Sequence, residues 1–186
     1  IVDDPDNPGT DIALPFQEWW IRYRASLPAR RFVVVGIEEA KPAPGVVDAL
    51  RNADVIVFPP SNPIVSIGTI LAVPGIADEI RATRAPVVGV SPIISGAPVR
   101  GMADACLRAS GIETSAAAVA AHYGARSSGG LLDGWLVDTS DAASTPVIEQ
   151  AGITTRAVPL LMTDLDATAA MAAETLGLAS RLRSTP

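Results

Sequence analysis

Apolar positions along this chain fall into two alternating kinds of run. Short continuous stretches rich in Val and Ile lie at residues 31–35, 54–57, 86–90, 131–138 and 153–158, the pattern of strands buried on both faces of a parallel sheet. Between them the period lengthens toward 3.6 and predicts helices over 16–24, from Val46 to Leu50, over 67–73, 76–83, 102–110, 115–123 and 165–178. Punctuation agrees with these limits: Pro44 and Gly45 precede one helix, Pro74 and Gly75 separate two, Gly111 and Gly129 break the chain, and Thr163 with Asp164 suits an N-cap. Residues 1–15 are dense in Asp, Asn, Pro and Gly and read as loop, and residues 180–186 as a fraying tail. Strands alternating with helices throughout predict an α/β domain with a mostly parallel, Rossmann-like sheet in three layers.

The patterning singles out two loops. The strand at 54–57 breaks into FPPSNPIVSIG (58–68), and the strand at 86–90 into SPIISGAPVRG (91–101). In an open parallel sheet the carboxyl ends of strands carry the ligand, so the two loops are expected to form two walls of one cleft. Ser61, Asn62 and Ser66 offer short polar groups there, and backbone N–H groups near Gly68 are expected to open the next helix toward an anion. An equally open reading is that 60–63 is only a rigid turn with Asn62 bonded to its own backbone. On the opposite wall Arg100 has the guanidinium fork that grips phosphate or carboxylate; its alternative is a solvated cation. Taken as ligand contacts, Asn62→Ala and Arg100→Ala should each weaken binding, the former with little change in thermal stability.

Phe16, Trp19, Trp20 and Tyr23 share one predicted helical face, suited to packing on the sheet or to the rim of an aromatic substrate site. Cys106 lies in an apolar helix without a neighbouring base and reads as a small core residue. His122, alone of its type, reads as a helix-end residue, and Asp138 with Asp141 as turn chemistry before metal ligation.

Composition narrows the classes. With 48% hydrophobic residues in 186, the chain holds enough apolar material for one substantial core. Its 20 acidic against 14 basic residues give a net charge of −6 without a basic cluster, which argues against a nucleic-acid backbone as partner and leaves a small phosphorylated ligand open. One cysteine excludes an internal disulfide, and no stretch approaches a membrane span, so a soluble cytoplasmic protein is expected.

Four blocks taken together, FQEWW (16–20), PSNPIVSIG (60–68), VSPII (90–94) through Gly101, and LMTD (161–164), resemble the 2-phospho-L-lactate transferase family of coenzyme F420 biosynthesis, in its actinobacterial phosphoenolpyruvate transferase branch. The resemblance implies transfer of a phosphoenolpyruvyl or 2-phospholactyl phosphate from a guanosine diphosphate-activated donor to the ribityl hydroxyl of the 5-deazaflavin Fo, with Mg²⁺ as cofactor, GMP as leaving product and a homodimer as assembly. It also implies nucleotide or phosphate contact by Ser61, Asn62, Pro63, Ser66 and Gly68 on one wall and by Ser91, Gly96, Arg100 and Gly101 on the other. No general base is identifiable. Family members open with a strand and a Gly-rich loop and carry acidic residues for Mg²⁺ in that first half, a pattern this sequence lacks; the expectation is a C-terminal portion of a longer fold. Related regulators of the gluconeogenesis-factor type, which bind nucleotide sugars without transfer, are the alternative, as is an inactive truncated form.

Overall fold

The computed structural model describes residues 1–184. Eight strands run in chain order as β1 Val2–Asp3, β2 Asp11–Ile12, β3 Ile56–Phe58, β4 Val87–Val90, β5 Ile93–Ile94, β6 Ala97–Pro98, β7 Gly134–Val137 and β8 Thr154–Ala157. The α-helices are α1 Val46–Asn52, α2 Gly68–Leu71, α3 Ile76–Ala82, α4 Ala103–Ala109, α5 Ala116–Tyr123, α6 Thr145–Gln150 and α7 Leu165–Ser184. β3, β4, β7 and β8 form one parallel sheet in that order, with Ile56 opposite Val87, Val88 opposite Gly134, and Gly134 opposite Thr154. Each step along the sheet moves the same way. That regular progression follows from three successive crossovers through helices.

Side-chain alternation divides the core. Ile56, Phe58, Val87, Trp135 and Val137 face one side, where they meet Ile76, Ile80, Val119 and Ile148 from helices; Val88, Val90 and Leu136 face the other, under Met171 and Leu178 of α7. Helices on both faces make the predicted three layers. Two glycines in the main sheet permit close approach by large side chains. A methyl group on Gly89 would stand 2.4 Å from the Trp135 ring, and one on Gly134 2.9 Å from Leu178.

Four expectations change. Residues 31–35 belong to no strand, because the main sheet ends at β3 and nothing pairs beside residues 32–35; Val35 lies in a turn and is 93% exposed. Within 1–15, β1 and β2 pair antiparallel around a turn in which the Asp4 amide donates to the Thr10 carbonyl at 2.8 Å. The helix expected at 67–73 begins earlier, at Pro63, as a π-helix over Pro63–Ile67 that runs into α2. The tail expected at 180–186 is helical through Ser184, since Leu178 and Leu182 lie over the glycine gap at Gly134; residues 185 and 186 lie outside the described residues.

Candidate functional site

All four parallel strands point their carboxyl ends to one edge, and the segments leaving β3, β4 and β8 build the walls of a cleft of about 580 Å³. After β3, Phe58 gives way to prolines that cannot continue a ladder, and the chain turns through Ser61 and Asn62 into the Pro63–Ile67 helix. After β4 it forms the β5–β6 hairpin and reaches Arg100 and Gly101. After β8 it passes Leu160, Leu161, Met162 and Thr163 before α7. Trp20, on a π-helix over Glu18–Arg22, lies over Gly101, whose φ of +74° and a would-be Cβ only 3.1 Å from the indole make glycine the fitting residue. Ser61, Asn62, Ser66, Ser91, Arg100, Gly101, Trp20 and the 160–163 segment all line this cleft.

The two adjacent loops therefore face each other as their sequence suggests, but the residues in them do different work. Asn62 caps its helix: its Oδ1 accepts from the Ile64 amide at 2.9 Å and the Val65 amide at 3.2 Å. Its Nδ2 is buried without a well-formed hydrogen bond and faces the Cys106 thiol, which burial pushes above the ordinary thiol range while this contact pulls it partly back. Asn62 thus follows the turn reading at its oxygen. Ser91 is buried, and its hydroxyl is occupied within its own turn, donating to the Ile93 carbonyl at 2.8 Å and accepting from the Ile93 amide at 3.1 Å.

By contrast, the hydroxyls of Ser61 and Ser66 and the guanidinium of exposed Arg100 make no side-chain hydrogen bond or ion pair among the described residues. Three unspent donors therefore face one cleft, and their chemistry is that of groups able to hydrogen-bond an anion.

Three sequence-selected residues fall elsewhere. Gly68 sits inside the helix, where a Cβ would stand 2.7 Å from the Pro63 carbonyl oxygen, so its amide does not open a helix toward an anion. Pro63 and Gly68 line a separate groove on the far side of their helix. Gly96, with φ of +75°, forms the β5–β6 turn and does not line the cleft. Conversely, residue-by-residue reasoning passed over Leu160 to Thr163 as contacts. The signal that could have found them was their position directly after a parallel strand, where the sheet edge must place them beside the other loops.

Polar residues behind the cleft hold its walls. Asp138, at the end of β7, accepts from the Ser140 amide at 2.9 Å, the Ser140 hydroxyl at 2.8 Å and the Leu160 amide at 2.9 Å. Burial alone would raise its pKa, yet these donors outweigh it and hold the carboxyl below its ordinary range. Asp141 accepts from the Ser95 amide at 2.9 Å, and the Ser95 and Ser140 hydroxyls meet at 2.9 Å, which ties the β5–β6 hairpin to the same girder. Both aspartates are therefore turn and bracing residues. No group of three His, Cys, Asp or Glu side chains suited to a metal exists among the described residues. None of the described residues lining the cleft is Asp, Glu or His, and the cleft walls thus supply no evident proton acceptor.

The apolar positions of α4 and α5 include Cys106, Leu107, Val119 and Ala120, all buried inside the domain. Among the described residues no single helix is long and apolar enough to cross a membrane.

Comparison with known proteins agrees with this architecture. A family model described as 2-phospho-L-lactate transferase CofD matches residues 8–176. A phosphoenolpyruvate transferase of Streptomyces griseus is 61% identical over 176 residues, covering 95% of this chain and 54% of the relative. One from Streptomyces coelicolor is 63% identical over 175 residues, covering 94% and 54%, and one from Nocardia farcinica 55% identical over 179, covering 96% and 52%. The chain spans about half the length of the curated relatives it matches.

Proposed function

The chain belongs to the 2-phospho-L-lactate transferase CofD family, and from that premise we propose that its cleft forms the donor-binding wall of a phosphoenolpyruvate transferase of coenzyme F420 biosynthesis. The observation that carries this reading is the unpaired set of Ser61, Ser66 and Arg100 on two facing loops at the carboxyl edge of adjacent parallel strands. The donor is a three-carbon acid joined to guanosine through a diphosphate. The acceptor is the ribityl hydroxyl of the deazaflavin Fo.

In the transfer, the hydroxyl oxygen forms a bond to the phosphorus of the phosphoenolpyruvyl or phospholactyl group while the bond from that phosphorus to the GMP oxygen breaks, and the hydroxyl proton passes to a base. Such a reaction depends on alignment and on neutralising charge that grows on the phosphoryl and leaving oxygens. Arg100 supplies a fixed positive charge, Ser61 and Ser66 supply short donors, and Trp20 over Gly101 closes one end of the cleft. The residues described here bind and orient. With no carboxylate or imidazole along the cleft, the proton acceptor and any Mg²⁺ ligands come in this reading from the half of the relatives that the chain does not match.

Calorimetric titration of GDP and of a uridine nucleotide sugar into the protein tests the reading. GDP is expected to bind, and Arg100→Ala to weaken it roughly tenfold, the loss of about one charge-assisted contact. Preference for the uridine nucleotide sugar, or equal GDP affinity in parent and variant, overturns it.

A further inference from the structure

Among the described residues one stretch follows directly on a β-bridge but leaves its own backbone amides unpaired. Residues 29–31 pair with the start of the chain: Val2 bridges Ala29 antiparallel, the Arg30 amide donates to the Ile1 carbonyl at 2.9 Å, and the Ile1 amino group donates to the Arg31 carbonyl at 3.0 Å. Beyond Arg31 the ladder stops, and residues 32–34 run without regular structure into a turn at Val35 and Gly36. The amides of Phe32, Val33, Val34 and Val35 make no hydrogen bond among the described residues, and of their carbonyls only that of Val34 accepts one, a long 3.4 Å contact from Ile37.

The side chains of this stretch contradict its exposure. Val33, Val34 and Val35 are β-branched residues suited to a packed sheet, yet they are 58%, 39% and 93% exposed. They border a groove of about 960 Å³ whose apolar wall includes Phe16, Phe32, Ile64, Val65 and Ala72. A flat, apolar, unpaired edge is what proteins ordinarily cover or blunt with charge or proline, and residues 32–35 contain neither.

We propose that residues 32–35 are the docking edge for an antiparallel β-strand, in line with Ile1 and Val2, supplied by the half of the family fold that this chain does not match. Three observations fix the occupant. The existing ladder sets the direction, since a strand continuing along the same edge runs as Val2 does, antiparallel to residues 29–35. The groove sets the chemistry: alternate side chains of the incoming strand are apolar and fill the wall between Phe32 and Ile64. The length of the relatives sets the source, because a chain covering 54% of the Streptomyces griseus protein leaves nearly half of that protein outside the match.

The inference concerns assembly and stands apart from what the cleft binds. Its test mixes this chain with the unmatched half of the Streptomyces griseus relative, expressed separately. A one-to-one complex by light scattering is expected, with amide exchange at residues 32–35 slowed roughly tenfold or more. The double variant Val33→Asp, Val35→Asp alters two exposed side chains, so it should melt with the parent when alone and bind the partner roughly tenfold or more weakly. Self-association of this chain, absence of a complex between soluble partners, or a complex in which these amides exchange at the free rate overturns the proposal. If the separate half is insoluble, exchange in the intact relative decides: protection over the matching segment supports the docked strand, and fast exchange there refutes it.

Discussion

Asn62→Ala separates two roles that the sequence left superimposed. In the structure the Asn62 oxygen satisfies two amides, those of Ile64 and Val65, at the start of a helix whose first residue is Pro63. Removing an N-cap side chain generally costs about 0.5–2 kcal/mol. Two acceptor contacts in a partly buried site place this one toward the upper end, about 1.5 kcal/mol, partly offset because the buried Nδ2 disappears with them. For a chain of this size that amounts to roughly 3–6 °C in melting temperature. The earlier expectation of an unchanged melting temperature therefore reverses. Differential scanning calorimetry on the parent, Asn62→Ala and Asn62→Asp provides the measurement, since aspartate keeps an acceptor oxygen for the same amides. The capping argument requires Asn62→Ala to melt several degrees below the parent and Asn62→Asp to recover part of the loss. Should both variants melt with the parent while losing GDP affinity equally, the amide nitrogen would be a ligand contact and the reasoning from the cap would be wrong.

Arg100→Ala should weaken GDP binding and flatten its dependence on ionic strength, because an exposed cation facing the cleft acts through a screened charge; titrations at low and high salt check this, and parallel slopes would return Arg100 to the solvated surface. Gly89→Ala pushes a methyl group to 2.4 and 2.6 Å from two Trp135 ring carbons in a fully buried strand, and overpacking of that kind should cost about 3 kcal/mol, read as loss of chemical-denaturation midpoint. Asp138 has a folded-state pKa held below its unfolded value, so its contribution is complete above about pH 4 and disappears as pH falls through the folded value. Asp138→Asn is accordingly expected to be less stable than the parent at pH 7, with the difference shrinking in acid; a gap that stays constant down to pH ~3 would rule out the linkage.

How much was legible in advance depended on whether a residue's partners were near in sequence. The strands at 86–90 and 153–158 and the helices at 76–83, 102–110 and 115–123 announce themselves because burial on two faces or on one stripe leaves a local period. The facing of two loops across one cleft was also readable, since it follows from parallel neighbours sharing a carboxyl edge. The stretch at 31–35 misled for an instructive reason: its composition records an environment that the described residues do not provide, so Val33 and Val35 look like sheet residues and stand in solvent. Helix α7 ran past its predicted end because Leu182 closes over Gly134, a contact between residues far apart in sequence.

Side-chain roles in the loops were harder to foresee because each polar group has one set of hydrogen-bonding positions and several claimants. Ser91 and Asn62 are short polar residues like Ser61, and all border the cleft, but backbone groups two or three residues away occupy the Ser91 hydroxyl and the Asn62 oxygen. A loop that must hold its own shape without a ladder spends part of its polar inventory on itself, and only the remainder is available to a ligand. Here the remainder is Ser61, Ser66 and Arg100, with Asp138 and Asp141 spent on bracing the walls from behind. The division has a functional consequence. Substituting a bracing residue is expected to shift both binding and stability, and substituting Ser61 or Arg100 binding alone, so plotting affinity loss against melting temperature for these variants tests which residues are ligand contacts and which are scaffold.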